Sequence, residues 1–412
     1  MSDTTESSTD DLGDLGPLAM MMDPAVSAEP QPVYRRLRDE CPVTRQEGGL
    51  FGDGGMVAIF RHEQVTEALR SPDRFSSAFG TGESGLGNDR PLIPLQIDPP
   101  DHKKYRVLLD PLFTPQKMAE LDDRVSILVN ELIDTFVDRG ECEFNHEFAV
   151  PLPCTVFLEL MGLPLEDLDV FVRLKDGIIR GGDELDPEKQ GEARAAAGRE
   201  CYEYFEKVLD ERERERRDDL LSHFLDAEVD GESLTRDEIL DICFLFLIAG
   251  LDTVTDSLTC FFHTLARRSD LRQRLIDDPD VIPAAVEELL RWETPVPGVA
   301  RVATEAMDLD GVRVEAGDHV MVCIGSANTD ESAIERAGHI DFDREANRHY
   351  AFGGGIHRCL GSHLARRELR VALREWHRRI PNYHIPDGAE LQWAPLLRQV
   401  EHLPLVFDEV PT

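Results

Sequence analysis

In "YAFGGGIHRCLGSHLARREL", residues 350–369, three consecutive glycines lead into His357, Arg358 and Cys359, and a helical pattern starts just behind the sulfur. A thiolate is a nucleophile and a soft metal ligand. It needs positive potential nearby, which the unpaired N–H groups of a helix N-terminus supply. Gly353, Gly354 and Gly355 open backbone conformations closed to other residues and permit close approach to a flat ligand. Taken alone, an ordinary turn carrying a cysteine would look the same. A zinc site on Cys359 and His357 falls short, because these two have no further Cys/His cluster beside them and structural zinc takes four ligands.

A second candidate lies in "DEILDICFLFLIAGLDTVTDSLTCFFHTLARR", which reads as one long helix over 237–268. Phe244, Leu247, Leu251, Val254, Leu258, Phe261 and Leu265 recur at steps of three and four, a buried stripe. Leu245, Ile248, Ala249, Asp252, Thr253 and Asp256 share another face that turns from apolar to polar halfway along. Gly250 costs a helix interior roughly 1 kcal/mol against alanine. Together these residues suggest a helix that loosens locally and presents an acid and an alcohol to a cavity. A helix whose second half surfaces into water would give the same pattern.

The elements that must hold these two segments are mostly helical. "PVYRRLRDECPV" reads as a short helix ending at Pro42, and "GMVAIFRHEQVTEALRSP" as a strand followed by a helix stopped before Pro72. Residues 77–97 carry glycines and prolines without periodicity and form a long irregular loop, a type that is often functional. Residues 100–290 are mainly helical, 296–325 switch to a small sheet, and strands and turns follow Pro381.

Composition excludes several classes. Eight cysteines without a CxxC suit a reducing cytoplasm and exclude a disulfide framework and covalent haem of the c type. A formal charge of −37 speaks against nucleic acid as a partner. The start, "MSDTTESSTDDLGDLG", lacks the basic and apolar regions of a signal peptide, so residues 1–18 are expected to be a disordered acidic tail before one domain over 19–412. The longest apolar run, "ICFLFLIAGL", is half a membrane span, so none is expected.

The spacing Phe352-x-x-Gly355-x-His357-x-Cys359-x-Gly361 resembles the haem-binding loop of the cytochrome P-450 monooxygenases. "EELLRW", with Glu288 and Arg291, and "FDREANRH", with Arg344, resemble that family's buried ion-pair network, and "AGLDT" its oxygen-activating segment. "GLDT" and "HLARRE…WHRRIPNY" look closest to the camphor-type bacterial hydroxylases. "ANTDESAI" departs from the family's "ANRDP" at what is expected to be a surface loop.

The resemblance implies a mainly α, single-domain cytochrome P-450 fold with small β-sheets and haem b between the long helix and the cysteine loop. Cys359 would be the axial thiolate, with Phe352, Gly353 and Gly361 lining the cofactor, and with His102, Arg106, Arg301 and His357 on its propionates. Thr253 would donate to the reacting oxygen, Asp252 would relay protons from solvent, and Ala249 and Gly250 would leave room for O2. Glu288, Arg291 and Arg344 would be structural. The pocket for a compact terpenoid, aromatic or steroid-like substrate would use Ile93, Pro94, Leu95, Leu245, Ile248, Ala249, Val296, Val299, Leu396 and Leu397. Electrons would come from a ferredoxin and its reductase, docking at a basic patch of Arg358, Arg366 and Arg367. A peroxide-driven peroxygenase of the same fold, or a haem-thiolate binding protein without turnover, are the alternatives.

Overall fold

The computed structural model describes residues 23–47, 54–79, 85–182, 186–229, 231–394 and 397–407. The acidic tail expected over 1–18 and the pocket residue Leu396 lie outside these residues. Six helices position the site: α1 (His62–Arg70), α2 (His102–Leu109), α3 (Leu168–Arg180), α4 (Arg236–Arg267), α5 (Ile282–Glu293) and α6 (Ser362–Arg379).

Helix α4 is the axle. At 32 residues it spans about 48 Å. Its start is fixed by a reciprocal cap: the Thr235 hydroxyl accepts from the Glu238 N–H at 3.2 Å, and the Glu238 carboxylate accepts from the Thr235 N–H at 2.7 Å. Lys104 and Tyr105 of α2 each donate to the other Glu238 oxygen at 2.8 Å, which ties α2 to the axle. Burial would raise the Glu238 pKa, but these donors hold it down at about 2.

Two apolar cores share α4 end to end. Ile239 through Leu251 pack with Tyr105, Phe157, Phe171, Leu174 and Ile178. Val254 through Leu265 pack with Phe136, Phe144, Phe148, Leu369 and Trp376, the last two from α6. The seam between the cores falls at Asp252 and Thr253.

The small sheet expected over 296–325 is present and recruits strands from the N-terminal part of the chain. Strands β1 (Val43–Gln46), β2 (Met56–Ile59), β3 (Phe75–Ser76), β4 (Val299–Ala303) and β5 (His319–Val322) lie in the order β1-β2-β5-β4-β3. Only β2 and β5 run parallel, and Arg301 of β4 sits opposite Val320 of β5. The described residues of 77–97 form neither helix nor strand. Among the described residues no helix is long and apolar enough to cross a membrane.

Candidate active site

The cysteine loop is shaped by backbone contacts. Cys359 N–H donates to the Phe352 carbonyl at 2.8 Å and Gly353 N–H to that of Tyr350 at 2.7 Å. Gly353 and Gly355 take φ of 66° and 63°, the left-handed region. A Cβ at Gly355 would stand 2.1 Å from the Leu69 carbonyl oxygen at the end of α1, so this position excludes any side chain.

Of the eight cysteines, six are buried and Cys41 is half-buried; Cys359 is exposed. Burial of its surroundings raises the Cys359 thiol pKa, while the Gly361 N–H and the charges of Arg106, Arg358 and Arg366 pull it down. The sulfur therefore faces open space within the fold. Its neighbour Leu360 packs on the core that contains Leu245, Ile248 and Leu251 of α4.

Beside the loop stands a cluster of donors without acceptors. His102 of α2 and His357 meet at 4.5 Å between ring centroids, and each has a buried Nε2 with no hydrogen-bond partner among the described residues. Arg301 is 5% exposed, and the one acceptor it meets among the described residues is the Ala300 carbonyl at 2.7 Å. Burial pushes the Arg301 pKa down to about 10, with Asp98 opposing. Burial, then the charges of Arg301, His102 and Arg106, pushes His357 down to about 3. Arg106 holds the Arg358 carbonyl at 2.9 Å and Asp110 at 2.8 Å. Buried cations and donors left unpaired are costly. This cluster fits a flat group bearing carboxylates.

Across the site, the middle of α4 opens. Ala249 and Gly250 are exposed and Thr253 half-buried, whereas Leu247 and Leu251 are fully shut. The Thr253 hydroxyl donates back to the Ala249 carbonyl at 3.0 Å. Two expectations are corrected. The helix runs unbroken through Gly250, where a Cβ would meet only Phe157 at 3.7 Å. Asp252 is not presented to the open space with Thr253: it is 2% exposed and its Oδ1 lies 2.5 Å from Lys175 Nζ of α3. Successive residues on a helix point about 100° apart, and that rotation carries the acid into the α3 interface.

Lys175, 1% exposed, is a buried cation at the site that no motif marks. It lies in step with Phe171 and Ile178 on the buried stripe of α3, and a cation at such a position was the available signal. Burial would lower its pKa, but Asp252 and Asp176 raise it to about 12.

Glu288, Arg291 and Arg344 come together as expected. The Glu288 carboxylate accepts two bonds from Arg291 at 2.9 and 2.7 Å, two from Arg344 at 3.0 and 3.2 Å, one from Asn347 at 2.9 Å and one from the Asp341 N–H at 2.8 Å. Arg291 also holds the carbonyls of Asn328, Ala337 and His339.

The basic patch is altered. Arg366 is clamped by Glu287 at 2.7 and 2.8 Å and lies 4.3 Å over the Phe352 ring, and Arg367 pairs with Asp122 at 2.9 Å. Arg358 remains exposed. Of the expected pocket residues, Ile93, Pro94, Leu245 and Ile248 are buried, Val296, Val299 and Leu397 half-buried, and Leu95 exposed.

The family model described as Cytochrome P450 matches residues 184–376. The chain is 34% identical over 382 residues to a steroid C26-monooxygenase of Mycolicibacterium smegmatis, covering 91% of this chain and 92% of that protein. It is 36% identical over 388 residues to the mycinamicin IV hydroxylase/epoxidase of Micromonospora griseorubida, covering 91% and 94%. The crystal structure of CYP109E1 from Bacillus megaterium in complex with testosterone superposes with a TM-score of 0.83 at 28% identity, over 93% of this chain and 99% of that one. Haem-thiolate chemistry is typical of these proteins, and the unpaired donors around an exposed thiol suit it. The chain belongs to the cytochrome P450 family and is an oxidoreductase with haem-thiolate monooxygenase chemistry.

Proposed function

We propose that this protein hydroxylates a hydrophobic, steroid-like or terpenoid molecule with O2, using haem b ligated by Cys359. One observation carries the reading: Cys359 is an exposed thiol on a backbone-locked loop, with the unpaired donors of Arg301, His102 and His357 beside it. Thiolate-ligated haem, when bound, supplies reductive activation of O2 and insertion of one oxygen atom into a C–H bond, the thiolate favouring O–O cleavage as it does throughout this family.

The chain's own residues do the rest. Arg301, His102, Arg106 and His357 bind the propionates and fix the ring's orientation. Phe352, Gly353 and Gly361 would line the ring, and Ala249 and Gly250 leave space beside α4. The Thr253 hydroxyl turns from the Ala249 carbonyl to donate to the reacting oxygen, and Asp252 relays the proton that follows. Glu288, Arg291 and Arg344 hold the loop's support. Leu245, Ile248, Val296, Val299, Ile93, Pro94, Leu95 and Leu397 exclude water and contact substrate.

A relative named as a steroid C26-monooxygenase supports the steroid-like reading over the camphor-type likeness of "GLDT". Electrons come from a ferredoxin and its reductase, docking near the exposed Arg358. Eight free cysteines fit a cytoplasmic setting.

The test is the absorption of the reduced, carbon-monoxide-treated protein, then titration with steroids, terpenes and aromatics. The red-shifted band of thiolate-ligated haem, lost in Cys359→Ser, supports the reading; its absence ends it. Oxidation driven by ferredoxin separates it from a peroxygenase, and any oxidation of a bound ligand separates it from a binding protein.

A further inference from the structure

Asp256 stands one turn beyond Asp252 on α4. It is 1% exposed, and neither carboxyl oxygen has a hydrogen-bond partner among the described residues. Residues four apart on a helix are neighbours, so the two acids share one environment. The charged groups that face Asp256 are Asp252 from its own helix, Lys175 and Arg180 from α3, and Glu401 from the strand Val400–His402.

Both cations are committed elsewhere. Lys175 holds Asp252 at 2.5 Å and Asp176 at 2.7 Å. Arg180 holds Glu401 at 2.5 Å and the Gln399 side chain at 2.6 Å. Two cations thus serve three other carboxylates before Asp256 is reached. Burial and then the Asp252 charge raise its pKa well above the ordinary carboxyl range, against the pull of Lys175 and Arg180. At the other end the cluster reaches solvent, with the side chains of Glu401 and Arg180 30% and 35% exposed.

We propose that Asp256 is a resident protonated acid that recharges Asp252 during proton delivery, with Glu401 as its solvent-side entrance and Arg180 as the residue that positions Glu401. The proposal rests on the reading of Asp252 and Thr253 above. One proton moves in each step and no electron does. The Asp256 O–H bond breaks as an Asp252 O–H bond forms, Asp252 passes its proton towards the Thr253 hydroxyl, and the Asp256 carboxylate takes a proton from solvent by way of Glu401. The arrangement gives Asp252, itself 2% exposed, a second proton route beside the one through Lys175 and Asp176.

The test uses the haem-loaded protein at neutral pH. Infrared spectroscopy reads protonated carboxyl groups directly through their C=O stretch. Glu368, whose burial pushes its pKa up to about 8, contributes its own band, which Glu368→Gln identifies. Asp256→Asn is expected to remove a second band that Glu368→Gln and Asp252→Asn retain. Oxygen uptake driven by a ferredoxin and reductase, with testosterone as probe, is expected to slow on the order of tenfold in Asp256→Asn, with a larger solvent isotope effect and unchanged haem content.

A missing second band overturns the proposal. So does Asp256→Asn behaving as wild type while Asp252→Asn is slowed, which leaves the roles of Asp252 and Thr253 standing. If Asp252→Asn and Thr253→Ala both behave as wild type, the reading of that pair falls and this proposal falls with it. Should Asp256→Asn fail to take up haem, Glu401→Gln carries the test: slowing with the band intact supports the entrance, and a wild-type rate overturns it.

Discussion

Lys175 Nζ lies 2.5 Å from Asp252 Oδ1, with the two side chains 1% and 2% exposed. The contact joins α3 to the seam of α4 where the two apolar cores meet. A buried pair of this kind contributes modestly as a pair, but loss of one partner strands the other charge. Lys175→Met is expected to destabilise the protein by about 3–5 kcal/mol in urea unfolding, and Lys175→Met with Asp252→Leu to recover most of that loss.

Glu288 is the common acceptor for Arg291 and Arg344, and both Glu288 and Arg291 are 0% exposed. Glu288→Ala leaves two guanidinium groups without their carboxylate, at a cost of about 3–5 kcal/mol. Purified Glu288→Ala is expected to contain little haem, measured as the ratio of haem absorbance to protein. Full occupancy would show that the network does not support the cysteine loop.

Arg301 tests the cation cluster in two directions. Without an anionic partner its burial is a net cost, so Arg301→Leu is expected to stabilise the haem-free chain by about 1–3 kcal/mol in denaturant. The same variant should lose haem faster to a scavenging globin. If haem loss is unchanged, Arg301 does not bind the propionates.

His377 of α6 supplies a pH dependence that is independent of the active site. Its Nδ1–H donates to the Leu373 carbonyl at 2.7 Å, and its Nε2 accepts from the Tyr383 hydroxyl at 3.1 Å. Burial lowers its pKa to about 4, with the Leu373 bond opposing and Arg272 assisting. A histidine whose folded pKa lies below its unfolded value of about 6.5 binds its proton in the unfolded chain first. Its contribution is therefore complete above about pH 6.5 and is lost as pH falls towards 4, on the order of 3 kcal/mol in all. His377→Gln should flatten the stability-against-pH curve over that window by one proton; an unchanged slope would contradict the assignment.

What could be read in the sequence was whatever is encoded by local spacing. The boundaries of α4 were legible to one residue, 237–268 against Arg236–Arg267, because apolar periodicity acts between residues three and four apart. The glycines before Cys359 signalled a tight loop, since Gly353 and Gly355 take backbone angles that other residues avoid. Only the tertiary structure decided where charges end up. Asp252 and Thr253 are adjacent in the chain, yet α3 supplies a lysine for one and open space remains beside the other. His102, Arg301 and His357 come from three distant segments, and their missing acceptors are visible only once burial is known. Pairing and desolvation depend on which elements pack together, and no spacing along one helix records what its neighbour brings.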